Sequence, residues 1–116
     1  MALGGVLGAL SRYLVGSWLG GAAGSGFPWA TLLINLSGSI LLGFLLRSFP
    51  AWGTSPDARA FLTVGFCGSF TTFSTFALET VSLAQGGSYG LAAGYAFGSV
   101  VLGVLGVLIG MALAAG

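Results

Sequence analysis

Charge is almost missing from this chain: of 116 residues only Arg12, Arg47, Asp57, Arg59 and Glu79 carry it, 4% of the total. A soluble domain devotes roughly a quarter of its residues to Asp, Glu, Lys and Arg. This one could not present an adequately solvated surface. Charge-free runs extend from Tyr13 to Leu46 and from Thr80 to Gly116, each longer than the ~20 apolar residues a membrane helix needs. With 56% hydrophobic residues and a mean hydropathy of +1.04, the chain reads as an all-α integral membrane protein. Its length holds at most about four spans of ~20 to 25 residues, which makes one small domain. So small a bundle has little room for a private pore, so an oligomer is expected.

The same inventory excludes most enzymes. There is no His and no Lys, hence no imidazole base, no Schiff base and no His-bearing triad. The single cysteine, Cys67, rules out an intrachain disulfide and any cysteine-rich metal site. A net charge of +1 leaves no basic patch for nucleic acid. The first ten residues lack the basic region and small-residue cleavage pattern of a signal peptide, so none is expected.

Glycine, proline and tryptophan punctuate the spans. A first helix is expected over about 2–19, ending at Gly20-Gly21, with Ala22–Phe27 as a Gly/Ser-rich turn. The second is expected over about 28–48, opening on Pro28, a residue suited to the first helical position. Phe49–Ser55, with Pro50 and Gly53, forms the next turn. Ser55-Pro56-Asp57 supplies an N-cap hydroxyl, a first-turn proline and an acidic residue on the helix dipole. That third helix covers about 56–84 and stops at Gly86-Gly87; the fourth covers about 88–114. Trp18, Trp29 and Trp52 fall at span ends, where indole rings favour the headgroup region. Arg47 and Arg59 bias orientation only weakly, so insertion both ways round stays open. Glycines repeat at four residues in Gly4/Gly8, Gly16/Gly20, Gly90/Gly94/Gly98 and Gly106/Gly110, the pattern of close helix packing in lipid by the first and fourth helices.

Polar groups inside such spans each need a reason. Thr31, Asn35 and Ser39 share one face of the second helix, either as interhelical glue or as the lining of a pore. Tyr95 and Ser99, with Gly103 next, form a second stripe on the fourth helix. In the third helix, Gly68-Ser69-Phe70-Thr71-Thr72-Phe73-Ser74-Thr75-Phe76 places five hydroxyl residues after a glycine, a composition poor for helix. A break there would expose carbonyls at mid-membrane, tolerable when buried in protein or holding an ion. The alternative is a continuous helix whose hydroxyls bond back to it. Phe73 and Phe76 share a face, and ring edges turned toward a pore would attract an anion weakly. Arg12 near the middle of the first helix and Glu79 in the third are costly at about 2.5 to 3.5 kcal/mol each. Arg12 would draw anions from a wet vestibule, or the two would pair.

These residues together resemble the Fluc family of fluoride channels, also called the CrcB family. Gly4-Gly5-x-x-Gly8-Ala9-x-x-Arg12-Tyr13 resembles its first-helix signature, and Thr31-Leu32-x-x-Asn35-x-x-Gly38 its second-helix motif. Gly65-Phe66-Cys67-Gly68-Ser69-Phe70-Thr71-Thr72-Phe73-Ser74-Thr75-Phe76, followed by Glu79, is similar to the third-helix motif nearly letter for letter. The resemblance implies an antiparallel, dual-topology homodimer of four-helix subunits that conducts fluoride passively, rejects chloride and relieves fluoride toxicity in the prokaryotic plasma or inner membrane. It implies an anion pathway along Phe73, Phe76, Asn35, Tyr95, Ser99, Ser74, Thr31 and Arg12. It further implies a structural sodium ion at the dimer centre, held by the backbone carbonyls of Gly68 and Thr71 from both subunits. Thr72 and Glu79 carry no assigned role. Gly103 stands where some members have another hydroxyl on the fourth helix.

Two rivals share the composition. A small multidrug exporter keeps a glutamate in its first helix, where this chain has Arg12. A non-transporting assembly subunit would account for the glycine stripes but leave Asn35 and the hydroxyl run without purpose.

Overall fold

The computed structural model describes residues 1–20 and 27–115, and all its regular elements are helical. In order they are α1 (Ala2–Gly20), α2 (Trp29–Trp52), α3 (Pro56–Gln85, interrupted) and α4 (Tyr89–Ala115). Three of them, α2, α3 and α4, are long and apolar enough to cross a membrane. The 27 residues of α4 extend roughly 40 Å at about 1.5 Å each, beyond the ~30 Å of a hydrocarbon core. The expected turn over Ala22–Phe27 lies outside the described residues except for Phe27.

The second helix does not end near Ser48. It runs through Pro50 to Trp52, and Pro28 stands just before it as the N-cap. An interior proline normally breaks a helix, but Pro50 falls in the last turn, and Phe49 beside it is buried with Leu45 and Cys67. That packing holds the turn until Gly53 closes it at φ 62°. The N–H groups of Gly53 and Thr54 then return to the Pro50 and Phe49 carbonyls, a closure that favours glycine.

Helix α3 starts as its sequence dictates: Ser55 Oγ accepts the Ala58 N–H at 3.2 Å, with Pro56 and Asp57 in the first turn. From Phe61 to Cys67 the ribbon widens into a π-helix, and Gly68–Phe70 returns to α geometry. At Thr71 (φ −81°, ψ 159°) and Thr72 (φ −146°, ψ 122°) the backbone is extended. The helix resumes over Phe73–Gln85. The hydroxyl run therefore does break the helix near its centre.

Close backbone approach fixes how the helices sit. A Cβ at Gly4 would strike the Phe61 carbonyl and one at Gly8 the Phe66 carbonyl, so α1 lies directly on the π-helical stretch. Gly43 meets the Val107 carbonyl and Gly110 the Ile40 carbonyl, which brings α2 and α4 together. The stripe Gly90/Gly94/Gly98 departs from the packing reading, since among the described residues nothing lies within 4 Å of a Cβ built at any of the three. A period of four marks a smooth stripe; it does not say what covers it.

Candidate functional site

The centre of the molecule is the break in α3, and side chains from three helices attend to it. An unbroken helix would pair the Thr72 N–H with the Gly68 carbonyl, and the Thr75 N–H with the Thr71 carbonyl. Instead the Thr72 N–H donates to Asn35 Oδ1 at 2.8 Å, and Asn35 Nδ2 donates to the Thr72 carbonyl at 3.0 Å. The Thr75 N–H donates to Thr72 Oγ1 at 3.3 Å, an N-cap that opens the second half of α3. Arg12 Nε, from α1, donates to the Ser69 carbonyl at 3.2 Å. Asn35 is thus interhelical glue in the literal sense, and Arg12 takes a released carbonyl rather than Glu79.

Rerouting those N–H groups leaves the Gly68 and Thr71 carbonyls without their helical partners. Gly68 is exposed and Thr71 half-buried. Carbonyl oxygens at a helix interruption suit a hard monovalent cation. Among the described residues no cluster of three or more His, Cys, Asp or Glu could hold a metal. The Gly68 and Thr71 carbonyls are the hard oxygen donors that a cation would find at the break.

Two clefts flank the break. One, of about 290 Å³, is lined by Asn35, Ser39, Thr72, Phe73, Phe76 and Ser99 among others, and no charged residue borders it. The Phe73 and Phe76 ring centroids lie 5.8 Å apart. Phe73 is 77% exposed, whereas Phe76 packs on Tyr95 with centroids 5.1 Å apart. Ser99 Oγ is buried and has no hydrogen-bond partner among the described residues. The other cleft, of about 340 Å³, holds Arg12, Tyr13, Ser17, Thr31 and Thr75. Thr72 borders both.

The sequence-predicted residues therefore divide. Asn35, Phe73, Phe76 and Ser99 come together in the first cleft; Thr31 and Arg12 meet in the second. Tyr95 lies behind Phe76, 1% exposed, and its hydroxyl donates to Glu79 Oε1 at 3.0 Å. Ser74 is exposed and lines neither cleft. The fold adds Cys67 and Gly38 to the first cleft and Thr75 to the second. Gly38 sits three residues after Asn35 on the same face, and a Cβ there would strike the Thr71 methyl. Cys67 carries no pattern that could have marked it in advance.

What these groups offer is donor hydrogens without formal charge: a spare hydroxyl, an amide and two aromatic edges. A strongly hydrated anion could replace its water shell there without being trapped by a cation.

Comparison with known proteins gives one picture. A family model described as CrcB-like protein, Camphor Resistance (CrcB), matches residues 1–111. Two relatives from strains of Thermus thermophilus, both named fluoride-specific ion channel FluC, are 50% and 49% identical over 113 residues. Those alignments cover 97% of this chain and 89% and 90% of the relatives. A protein of the same name from Nitrobacter winogradskyi is 47% identical over 112 residues, covering 96% of this chain and 89% of its own.

Proposed function

The chain belongs to the CrcB family, and on that premise we propose that it is a passive, fluoride-selective channel that lets fluoride leave the cytoplasm and so relieves its toxicity. The observation that carries the reading is the buried, unpartnered hydroxyl of Ser99 in an uncharged cleft walled by Phe73 and Phe76. A buried polar group without a partner needs an explanation, and an anion passing through the cleft supplies one. The ring edges of Phe73 and Phe76 carry partial positive charge, and Asn35 brings an amide. Such neutral donors bind firmly enough for entry and weakly enough for release. Arg12, with Thr31 in the adjoining cleft, would raise the local anion concentration. Tyr95 supports the ring of Phe76 from behind.

The working unit in this reading is an antiparallel homodimer inserted both ways round in the prokaryotic plasma or inner membrane, with α1 as a fourth span. The exposure of Phe73 supports it, because a pore wall that is 77% exposed lacks its opposite side in one copy. A structural sodium ion, held by the Gly68 and Thr71 carbonyls of two copies, would stabilise the contact between them.

The test is efflux from liposomes holding the purified protein, read with a fluoride electrode, with valinomycin and potassium carrying the compensating charge. Fast fluoride release with negligible chloride release is the expected result. Equal release of both ions, or none from well-folded protein, overturns the proposal.

A further inference from the structure

Asn35 is the chain's only asparagine, and its amide is held at both ends by a single backbone residue. Thr72 N–H can only donate, so the atom 2.8 Å from it must be the amide oxygen. Thr72 C=O can only accept, so the atom 3.0 Å from it must be the amide nitrogen. The pair leaves no choice of flip: turning the amide over would set donor against donor and acceptor against acceptor. One of the two Nδ2 hydrogens is spent in this pair, and the other has no partner among the described residues. Asn35 also borders the cleft that holds Phe73, Phe76 and Ser99.

We propose that the backbone of Thr72 is a positioning element, locking the Asn35 amide so that one Nδ2–H closes the helix break while the other is presented to the permeating anion. The inference deepens the channel reading and rests on it. An unclamped amide could turn its oxygen toward the cleft, and that oxygen repels an anion. Clamped, the group is a donor at all times. The Thr72 hydroxyl, by capping Thr75 at 3.3 Å, holds the extended backbone in the geometry the clamp needs. A side chain with no assigned role thereby acts on the anion through Asn35. The same contact couples stability of the break to selectivity of the path, since whatever frees the amide from Thr72 also lets it turn.

With one asparagine in the chain, ¹⁵N-asparagine labelling gives a single side-chain amide with two proton resonances, assignable without ambiguity. The full-length protein in lipid nanodiscs is titrated with sodium fluoride and, as control, sodium chloride at equal ionic strength, while a sample of the same preparation is assayed for fluoride efflux. The expected result is two Nδ2 proton signals displaced from the positions of a free asparagine amide, of which fluoride shifts one and leaves the other in place, with chloride moving neither. In Thr72→Ala both signals then move toward the positions of a free asparagine amide and efflux slows several-fold, while Thr72→Ser, which keeps the capping hydroxyl, behaves as the parent. Signals at free-amide positions in the parent protein, or equal fluoride shifts of both protons, overturn the clamp. Stationary signals in protein that conducts fluoride overturn the donor role and leave the channel reading intact. Stationary signals in protein without efflux overturn both.

Discussion

Phe73 and Phe76 share a cleft but differ in what else they hold. Phe73 is 77% exposed, so Phe73→Ile should abolish fluoride efflux while leaving the thermal unfolding temperature in detergent almost unchanged. Phe76 also packs on Tyr95, and losing an aromatic pair costs about 0.5 to 1.5 kcal/mol. Phe76→Ile should abolish efflux and lower the unfolding temperature as well; unchanged efflux in both variants would remove the rings from the pathway. Ser99 poses the opposite case. Its hydroxyl is buried without a partner among the described residues, a burden of roughly 1 to 3 kcal/mol. Ser99→Ala should therefore be at least as stable as the parent yet conduct fluoride several-fold more slowly. A loss of stability instead would mean that the hydroxyl has an internal partner. The sequence singled out these residues by chemical type, because hydroxyls and amides are out of place in lipid. It could not show that Asn35 meets Thr72, 37 positions away, or that Ser74 lines neither cleft, since both depend on how the helices are rotated.

At the scale of the elements, the four helices and the central break were legible, and the details of the backbone were not. The break follows from local chemistry: hydroxyl and β-branched residues after Gly68 bond to nearby backbone and compete with the helix. The π-helical stretch Phe61–Cys67 has no such local cause. It lies where Gly4, Gly8 and Gly65 bring α1 against α3, and it belongs to that pairing of helices. Pro50 misled in the same way, because the burial of Phe49 beside it is a tertiary fact. The glycines make this distinction testable. A methyl at Gly43 or Gly110 would strike the facing helix backbone, and overpacking of that kind costs typically about 1 to 3 kcal/mol. Gly43→Ala and Gly110→Ala should each lower the unfolding temperature clearly. Gly94→Ala meets nothing within 4 Å among the described residues and should be neutral or slightly stabilising, as alanine favours helix over glycine by up to about 1 kcal/mol. Equal losses at all three positions would contradict the α2–α4 packing described.

For the whole molecule, the question is what satisfies the backbone oxygens that the break in α3 releases. The break releases carbonyls, and the chain answers only some of them: Arg12 takes Ser69, while Gly68 and Thr71 give up their helical partners to Asn35 and Thr72. Oxygen atoms left in that state, beside an exposed Gly68, cannot face lipid without cost. In the proposed dimer a second copy would exclude lipid, and a cation would occupy the oxygens. Sodium would then be a ligand of that dimer, and linkage would set the size of its effect. At a concentration a hundred times its dissociation constant, a ligand specific to one state stabilises that state by about 2.7 kcal/mol. Exchanging sodium for N-methylglucamine at constant chloride should therefore lower the dimer fraction of the protein diluted into lipid, read by cross-linking or single-molecule photobleaching, and should slow fluoride efflux in parallel. The response should saturate with added sodium, as binding requires, and should exceed that to lithium or potassium at equal ionic strength. A dimer fraction and an efflux rate both indifferent to sodium, after unfolding and refolding without it, would leave the two carbonyls to water and remove the ion from the assembly.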